Sequence, residues 1–446
     1  MILRKDLLLG HSLENNTAPP INTEDFIRLQ GTSNGRSSSF GISECVIQKH
    51  LLLMGGTGSG KTNSLKLILP QIQNHMNDND IALVFDSKLD FDAFHADSDY
   101  VISCRDDFRG CPAIWNIFMD IVADGWSKSE ISSNADEIAE VIFADALLSS
   151  SQPFFPRAAR DIFAAVVKAM TFIGIADKQY RIQYMNNQAL ITYLSSLNAQ
   201  KLQEFLTPIP ELTGVLKYVG DGRSEQSLGV FAELQSVVSK VFSRSFSLDG
   251  RFSVRKAVKK RGGKTLFIEY DPSKGKSLQP VYQVLVDLFL KEALSTSKKS
   301  SGRVFVICDE LKMLPHLNHF EDALNFGRSL GVAVIAGIQS MQQLYEVYGE
   351  YGAKNIASAF QSILLFRTND EASRNFAKSI FGKNVTTIQY MTPSGKAVEE
   401  KVDGYCVEDW DILDLHCGEA IIGLSYIPPF RFQFRKCKEA QYGASI

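Results

Sequence analysis

Several features that would restrict the function are scarce in this 446-residue sequence. No apolar run approaches the roughly 20 residues that a membrane-spanning helix needs, and the longest, residues 162–176, is interrupted by Lys168. The seven cysteines are scattered without a C-x-x-C pair, which argues against a zinc site and a disulfide framework. The first residues do not form a convincing signal peptide. The sequence therefore predicts a soluble, cytoplasmic protein with reduced thiols.

A strong net charge is also absent, since 47 basic and 50 acidic residues leave a formal charge of −3 at pH 7. This balance gives no overall attraction to nucleic acid or anionic lipid, so any such binding must use local patches. Three stretches are locally basic: residues 256–264, 291–303 and 430–438. The last has interleaved phenylalanines that could stack on bases. The alternative for each stretch is an ordinary solvated face.

The order of apolar segments indicates the fold class. Strand-like runs alternate with helical patterns near both ends of the chain, and this alternation is typical of a parallel α/β sheet. Between about 111 and 250 the strand-like runs disappear and helical periodicity takes over. The predicted strands are residues 50–54, 81–86, 100–103, 264–270, 303–308, 332–338 and 361–366. Short strand signals after about residue 384 are expected to extend the sheet.

The length exceeds what one hydrophobic core usually supports, so more than one structural unit is expected. We predict a discontinuous nucleotide-binding motor domain made of residues 49–110 and 251–446. An all-helical insert domain would occupy residues 111–250. Residues 1–48 are polar and rich in turn signals, and they are predicted to be a lead-in that packs on the motor domain.

The sequence GGTGSGKT, residues 55–62, matches the phosphate-loop motif G-x-x-x-x-G-K-[ST] at every fixed position. It follows a predicted strand and precedes a predicted helix, as a phosphate loop must. Glycines allow backbone N–H groups to converge on phosphate oxygens, and the helix N-terminus adds its dipole. Lysine would reach the β- and γ-phosphates, and threonine would hold Mg²⁺. The predicted ATP-binding residues are Gly55, Thr57, Gly58, Ser59, Gly60, Lys61 and Thr62.

A second motif, RVFVICDE, is an apolar strand that ends in two acidic residues, Asp309 and Glu310. After a phosphate loop in the same α/β domain, Asp309 would order Mg²⁺ and its bound water. Glu310 would orient or deprotonate the attacking water. The adjacent glutamate favours a hydrolase over a nucleotide-binding switch.

The segment FGRSLGVAVIAGIQS places polar residues at both ends of another apolar strand. The carboxyl ends of parallel strands meet at one sheet edge, so Gln339 is expected beside Asp309 and Glu310, where it could contact the γ-phosphate. A polar residue that begins a helix is an equal alternative. Arg328 precedes the strand and is expected at the opposite edge. It is either a solvated helix end or a residue offered to a neighbouring subunit's active site.

The sequence resembles the coupling proteins of type IV secretion and plasmid conjugation, which are hexameric ATPases related to the FtsK and HerA translocases. The resemblance covers about residues 45–435 and rests on HLLLMGGTGSGKT, on the AIWNIF and FFPRAARDIF segments, and on residues 306–349. It also includes VFDSKLD, residues 84–90, where the family usually has D-P-K-G-[DE]; this block lacks the family's proline and glycine. Family members usually begin with a membrane-anchoring helix pair, and the present sequence predicts none.

The resemblance implies a RecA-like P-loop ATPase fold and specific residue roles. Arg328 falls on the family's interfacial arginine and Gln339 on its γ-phosphate-sensing glutamine. Together with Lys61 and Glu310 they are the expected catalytic residues, and Thr62 and Asp309 the expected Mg²⁺ site. The loop 271–279 resembles channel-facing loops of the family. Lys274 and Lys276 are therefore expected to contact DNA, against the alternative of a plain surface turn.

The leading hypothesis is an ATP-hydrolysing coupling protein that moves DNA, or a relaxase–DNA substrate, toward a secretion or conjugation channel. Expected partners are DNA, a relaxase or other secreted substrate, membrane-bound channel components, and other copies of the chain in a homo-hexamer. A partner would recruit it to the inner face of the cell membrane. Two alternatives stay open: an ATP-gated platform that recruits protein substrates, and a HerA- or FtsK-like translocase outside conjugation.

Overall fold

The computed structural model describes residues 2–13, 16–105, 109–271, 273, 275–295, 302–315, 317–393, 395–425 and 427–438, without the side chains of residues 2, 3 and 276. The strands are β1 (Ile2–Leu9), β2 (Asp25–Ser33), β3 (Arg36–Ser43), β4 (Leu51–Met54), β5 (Ile81–Asp86), β6 (Tyr100–Ile102), β7 (Cys111–Pro112), β8 (Lys264–Glu269), β9 (Val304–Cys308), β10 (Val332–Ile338), β11 (Ser362–Phe366), β12 (Lys383–Met391), β13 (Ala397–Tyr405), β14 (Glu419–Gly423) and β15 (Phe430–Phe434).

The α-helices are α1 (Glu44–Ile47), α2 (Lys61–His75), α3 (Ile117–Ile121), α4 (Lys128–Ser149), α5 (Phe154–Ala176), α6 (Lys178–Tyr184), α7 (Asn187–Ser195), α8 (Ala199–Leu206), α9 (Glu225–Val241), α10 (Val254–Lys260), α11 (Gly275–Leu294), α12 (Phe320–Phe326), α13 (Met341–Ala359), α14 (Glu371–Phe381) and α15 (Asp409–Leu413). Short 3-10 segments lie at Asp92–Phe94, Pro210–Tyr218, Arg244–Ser247, Leu311–Met313 and Gly327–Leu330.

A 12-stranded sheet runs through the molecule in the order β3-β2-β15-β14-β11-β4-β10-β9-β5-β8-β6-β7. The eight strands from β11 to β7 are parallel, whereas β14, β15, β2 and β3 are added antiparallel at one edge. Every residue of β4, β5, β9 and β10 is buried. Continuous apolar runs are required there because helices cover both faces of a parallel sheet. The predicted α/β fold with a mainly parallel sheet is confirmed.

The edge of the sheet joins the two ends of the chain. The hairpin β2–β3 pairs with β15, with Gln433 opposite Thr32. The strands predicted after residue 384 therefore do extend the main sheet, as β14 and β15. The aromatic residues of β15 are core residues: Phe430, Phe432 and Phe434 are buried, and their rings pack around Phe40. The prediction that they stack on nucleic-acid bases is wrong, because their rings are already used in the core.

A separate three-stranded sheet, β1-β12-β13, was not predicted from the sequence. The reason lies in the composition of its strands. Strand β13 has the sequence AVEEKVDGY, and its residues are exposed or only partly buried. No apolar alternation marks such a strand. Its pairing with β12 along its whole length, from Lys383–Tyr405 to Met391–Ala397, comes from the hairpin.

The loop predicted at residues 271–279 is shorter than expected, because α11 begins at Gly275. Apolar residues at helical spacing, Leu278, Val281, Tyr282 and Leu285, are all buried and were the available signal. Lys274 lies outside the described residues, as does the side chain of Lys276. Their predicted contact with DNA remains a prediction.

The named elements between β7 and β8 are all helical within the described residues. Helix α5 is the centre of this layer and packs against α4, α6 and α9. Its middle is buried almost continuously, from Ile162 to Val167. The helices continue past 250, the predicted end of the insert, to Lys260 at the end of α10. No helix in the described ranges is both long and apolar enough to cross a membrane.

The helical layer is joined to the sheet by a buried polar cluster around Asp120, which is fully buried at the end of α3. Its carboxylate accepts hydrogen bonds from Trp115 Nε1 (2.7 Å), Ser253 Oγ (2.6 Å) and the Arg255 backbone N–H (2.9 Å). Burial raises the pKa of Asp120 despite these donors. Arg255 in turn donates through Nε to Glu292 of α11 at 3.0 Å. The segment that enters the helical layer, at Trp115, and the segment that leaves it, at Ser253 and Arg255, therefore bond to the same carboxylate.

We expect Asp120→Ala to lower the free energy of unfolding by about 3 kcal/mol or more, because several buried donors would lose their acceptor. Chemical denaturation followed by circular dichroism measures this loss. Asp136→Ala is the matched control: this carboxylate is 60% exposed and pairs with Lys168, and exposed pairs contribute only about 0–1 kcal/mol. Equal losses in the two variants would contradict the role given to Asp120.

Candidate nucleotide-binding site

The predicted phosphate loop connects β4 to α2. Gly58 and Gly60 have φ of +72° and +118°, in the left-handed region that favours glycine. At Gly60 a Cβ atom would also lie 2.7 Å from Gly418 Cα, so no larger residue fits. The helix starts at Lys61, directly after this turn. Because the first backbone N–H groups of a helix have no intrahelical partner, the loop presents free donors toward an anion.

The loop is held between the ends of two strands. Gly55 N–H donates to the Ile338 carbonyl of β10 at 3.2 Å, and Gly56 N–H donates to the Arg367 carbonyl after β11 at 2.8 Å. The conformation of the loop therefore depends on the parallel neighbours of β4 on both sides.

A strap formed by residues 416–418 packs against the outside of the loop. Gly418 N–H donates to the Ser59 carbonyl at 2.8 Å, and Cys417 Sγ donates to the Gly58 carbonyl at 3.1 Å. Gln433 of β15 fixes the strap through its Nε2, which donates to the Cys417 carbonyl at 3.1 Å. These contacts were missed from the sequence, where only Gly418 after α15 marked a turn. The outward-facing carbonyls of the loop thus have donors from the C-terminal part of the chain.

Two polar side chains of the loop, Lys61 and Ser59, are buried. Lys61 is 7% exposed, and its ammonium donates to the carbonyls of Gly55 and, at 3.1 Å, Gly56. Burial lowers the pKa of Lys61 to about 8, and the nearby Glu310 carboxylate opposes this shift. Ser59 Oγ is buried without a hydrogen-bond partner among the described residues. Thr62 follows Lys61 in the first turn of α2 and is half-buried.

Asp309 and Glu310 follow β9 and are 2% and 4% exposed. The Ser87 backbone N–H donates to Asp309 Oδ1 at 3.1 Å, and Lys88 Nζ lies 3.9 Å from Asp309 Oδ2. Burial raises the pKa of both carboxyl groups. Asp309 Oδ2 and Glu310 Oε1 are buried and have no hydrogen-bond partner among the described residues. Two carboxylate oxygens are therefore open to a cation or a water molecule.

Gln339 joins the acidic pair to the phosphate loop. Its Nε2 donates to Glu310 Oε2 at 2.6 Å, and its Oε1 accepts from Thr57 Oγ1 at 3.3 Å. It lies between β10 and α13, whose N-cap is the next residue, Ser340. The structure thus brings Gln339 to the sheet edge where it was expected, in direct contact with Glu310.

The turn after β5 contains Ser87, whose backbone N–H bonds to Asp309, and this turn is itself held by Asp86. Asp86 is fully buried and accepts hydrogen bonds from the backbone N–H groups of Lys88 (3.2 Å), Asp90 (3.0 Å) and Phe91 (2.9 Å). Leu89 has φ of +60° and stands where the D-P-K-G-[DE] block has glycine. The three bonds to Asp86 hold this turn in place although a leucine is strained there.

Arg328 is separated from these residues. It is exposed in the 3-10 segment before β10, at the opposite end of the strand from Gln339. A seven-residue strand places the two about 20 Å apart. No hydrogen bond or ion pair links its guanidinium to another residue in the described part of the chain. The sequence expectation of opposite sheet edges for Arg328 and Gln339 agrees with this geometry.

The site fits a nucleotide triphosphate with Mg²⁺. Glycines at 58 and 60 leave the loop backbone without side chains, so its N–H groups can approach phosphate oxygens closely. Within the described residues, buried oxygens of Ser59, Asp309 and Glu310 have no hydrogen bond, and they are hard ligands of the kind that Mg²⁺ and its waters prefer. The residues that could hold the metal and its waters are Thr62 and Asp309.

A model of the family described as type IV secretion-system coupling protein DNA-binding domain matches residues 38–402. The coupling protein TraD of Escherichia coli (strain K12) is 22% identical over 378 residues, which cover 81% of this chain and 48% of TraD. The type IV secretion system-coupling protein VirD4 of Bartonella quintana (strain Toulouse) is 22% identical over 260 residues, which cover 54% of this chain and 38% of VirD4. The match thus spans less than half the length of either relative.

Among solved structures, the unbound bacterial conjugative coupling protein TrwBdeltaN70 is similar with a TM-score of 0.70 and 19% identity, over 98% of this chain and 94% of that one. The plasmid coupling protein TrwB in complex with ADP and Mg²⁺ has a TM-score of 0.68 and 19% identity, over 98% of this chain and 95% of that one. VirB4 of Thermoanaerobacter pseudethanolicus has a TM-score of 0.54 and 13% identity, over 95% and 99% of the two chains. These likenesses confirm the predicted RecA-like α/β fold.

We expect the affinity for ATP to fall as the pH rises through about 8, the pKa of Lys61 in the nucleotide-free protein. Bound phosphates favour the charged ammonium and raise its pKa, so binding above that pH requires uptake of a proton. The affinity should then fall by up to about tenfold per pH unit. Titration with a fluorescent ATP analogue at several pH values measures the slope. Lys61→Arg stays charged throughout and should show a flat profile; the same slope in both proteins would contradict the assignment.

Proposed function

This chain belongs to the type IV secretion-system coupling protein family, and on that premise we propose that it is an ATP-hydrolysing, ring-forming motor that moves DNA toward a secretion or conjugation channel. The observation that carries the proposal is the contact between three motifs that are distant in sequence. Gln339 bonds Glu310 at 2.6 Å and Thr57 of the phosphate loop at 3.3 Å. Phosphate loop, acidic pair and glutamine therefore form one site.

We assign the roles in hydrolysis from these positions. The loop N–H groups and Lys61 bind the phosphates, with the ammonium exchanging its loop carbonyls for phosphate oxygens. Thr62 and Asp309 would hold Mg²⁺ and its water, and the ion, when bound, neutralises phosphate charge. Glu310 orients the attacking water and accepts its proton. Gln339 contacts the γ-phosphate and thereby links the presence of ATP to the position of Glu310.

Arg328 is proposed to act in the neighbouring subunit. It lies at the opposite sheet edge from its own phosphate loop, and its guanidinium has no partner among the described residues. In a head-to-tail ring that edge would face the next subunit's site. Each active site would then consist of one subunit's phosphate loop and the next subunit's arginine, and we propose a homo-hexamer as the active form.

DNA binding is proposed to use local basic surface, and the structure narrows the candidates. In residues 256–264, Lys259 pairs with Asp124 at 2.8 Å and the Lys264 ammonium lies over the Tyr100 ring. Lys256 and Lys260 are exposed and form no ion pair within the described residues. Residues 296–301 of the second basic stretch lie outside the described part of the chain. Lys274 and Lys276 remain proposed contacts.

We further propose that the chain is divided into a motor domain and a helical insert. The insert would bind a relaxase or other secreted substrate, and membrane-bound channel components would recruit the protein.

The function is tested by measuring ATP turnover with and without single- or double-stranded DNA. We expect DNA to stimulate turnover at low salt and the effect to decline steeply with salt, since each neutralised phosphate contributes about −0.9 to the log–log slope on duplex. Glu310→Gln is the matched control because it spares the phosphate and metal contacts. This variant should bind ATP and DNA and yet fail to turn over. DNA-independent turnover at all salt concentrations would contradict the motor function.

The role of Arg328 is tested by mixing inactive subunits. Arg328→Ala should bind ATP but turn over roughly 10³–10⁵ times more slowly, the usual effect of losing an arginine finger. Lys61→Ala should be inactive because its own pocket is broken. Mixing the two before ring assembly places some intact pockets beside intact arginines and should restore part of the turnover. Co-assembled mixtures without recovery at any ratio would exclude action in the neighbouring subunit.

A further inference from the structure

His50 is a buried polar residue at the start of the phosphate-loop strand that the proposed chemistry does not use. It is 2% exposed and has φ of +66°, so the backbone turns away from the sheet just before Leu51. Its ring Nδ1 accepts a hydrogen bond from the Val334 backbone N–H at 3.1 Å, and its Nε2 lies 2.9 Å from the Leu324 carbonyl. The imidazole thus connects three elements: β4, β10 and α12.

The hydrogen bond from Val334 takes the place of a backbone hydrogen bond that is missing between β10 and β4. The registered pairing of β10 with β4 begins at Ile335 opposite Leu51. Val334 precedes that pair, and its N–H points toward β4, where the backbone of His50 has left the strand. The imidazole nitrogen supplies the acceptor that the backbone does not. A buried N–H without an acceptor destabilises the fold, which explains a polar ring at this buried position.

The two bonds fix the protonation of the ring. Because Nδ1 accepts from a backbone N–H, it carries a lone pair, and the proton is on Nε2, which donates to the Leu324 carbonyl. Burial lowers the pKa of His50 to about 4, so the ring is neutral at physiological pH. The link therefore does not change with pH near neutrality.

The bond to Leu324 holds the element that carries Arg328. Leu324 lies in the last turn of α12, where helix carbonyls lack intrahelical partners. The 3-10 segment Gly327–Leu330 follows directly, and Gly331 returns the chain to β10 with φ of +77°. Gly327 packs closely against Val332, since a Cβ there would lie 3.0 Å from Val332 Cβ. The backbone that displays Arg328 is thus attached to the sheet at Gly327, at Gly331 and through His50.

We propose that His50 is a positioning residue for Arg328: it ties α12 to the phosphate-loop strand and so sets where one subunit presents its arginine to the neighbouring subunit's nucleotide. The inference rests on the proposed action of Arg328 between subunits. His50 does not reach its own nucleotide, because it lies at the end of β4 opposite the phosphate loop. Its loss should consequently impair the arginine and leave the pocket of the same chain intact.

His50→Asn separates the two bonds of the ring. The Asn Oδ1 corresponds to Nδ1 and can still accept from Val334, but the side chain is too short to reach the Leu324 carbonyl. We expect turnover to fall at least about tenfold, because a misplacement of about 1 Å can cost 10²-fold. The affinity for a fluorescent ATP analogue should not change. His50→Gln, whose longer amide can donate to Leu324, should recover turnover in part.

Subunit mixing identifies which half of the site is damaged. Mixed with Lys61→Ala, His50→Asn should regain turnover, since its intact pockets then meet intact arginines. Mixed with Arg328→Ala it should regain none, because both proteins lack a well-placed arginine. A general loss of structure would lower ATP affinity and would not sort the mixtures in this way.

The outcomes distinguish this inference from the function on which it rests. If Arg328→Ala and Lys61→Ala do not complement each other, action between subunits fails and the role of His50 fails with it. If they do complement, the inference about His50 is overturned by any of three results. These are wild-type turnover of His50→Asn, recovery with Arg328→Ala, or no recovery with Lys61→Ala.

Discussion

The parallel pairing of β4, β10 and β9 places the ends of three strands side by side. Met54 lies opposite Ile338, and Ala336 opposite Cys308. The residues after those ends are the phosphate loop, Gln339 and the pair Asp309–Glu310. Their contacts follow from strand register alone, and a slip of one residue would turn their side chains to the other face. The same register sends Arg328 to the far edge, so on its proposed role a complete active site would be formed by two subunits.

The site contains polar groups that the fold alone would not favour. Asp86, Asp309 and Glu310 are almost completely buried, and burial raises the pKa of each. Buried carboxylates destabilise the fold unless hydrogen bonds or cations compensate them. Asp86 is compensated by three backbone N–H groups, whereas Asp309 and Glu310 each have one oxygen that accepts no hydrogen bond from the described residues. Local stability is thus lowered at the two groups that are proposed to bind the metal ion and the attacking water.

Much of this site could be predicted because its motifs are local in sequence. The apolar run before Gly55 and the run before Asp309 mark strands, and strands of an α/β sheet end at a common edge. What could not be predicted depends on contacts between distant segments. The strap at Cys417 and Gly418, the imidazole of His50 and the polar hairpin β12–β13 leave no periodic signal. The phenylalanines of β15 were misinterpreted for a related reason. Alternation of apolar and polar residues shows that the two faces of a strand differ, but it does not show whether the apolar face is covered by the rest of the protein.

The strap has a consequence for biosynthesis. Cys417 bonds the carbonyl of Gly58 across 359 residues of chain, so the phosphate loop leaves the ribosome long before the donors that support it. At about 5–20 residues per second the delay is on the order of tens of seconds. The edge hairpin β2–β3 must likewise wait for β15, because Thr32 pairs with Gln433. A nascent or truncated chain that stops before Cys417 would therefore lack the donors that support the phosphate loop, and full support of the pocket requires synthesis through β15.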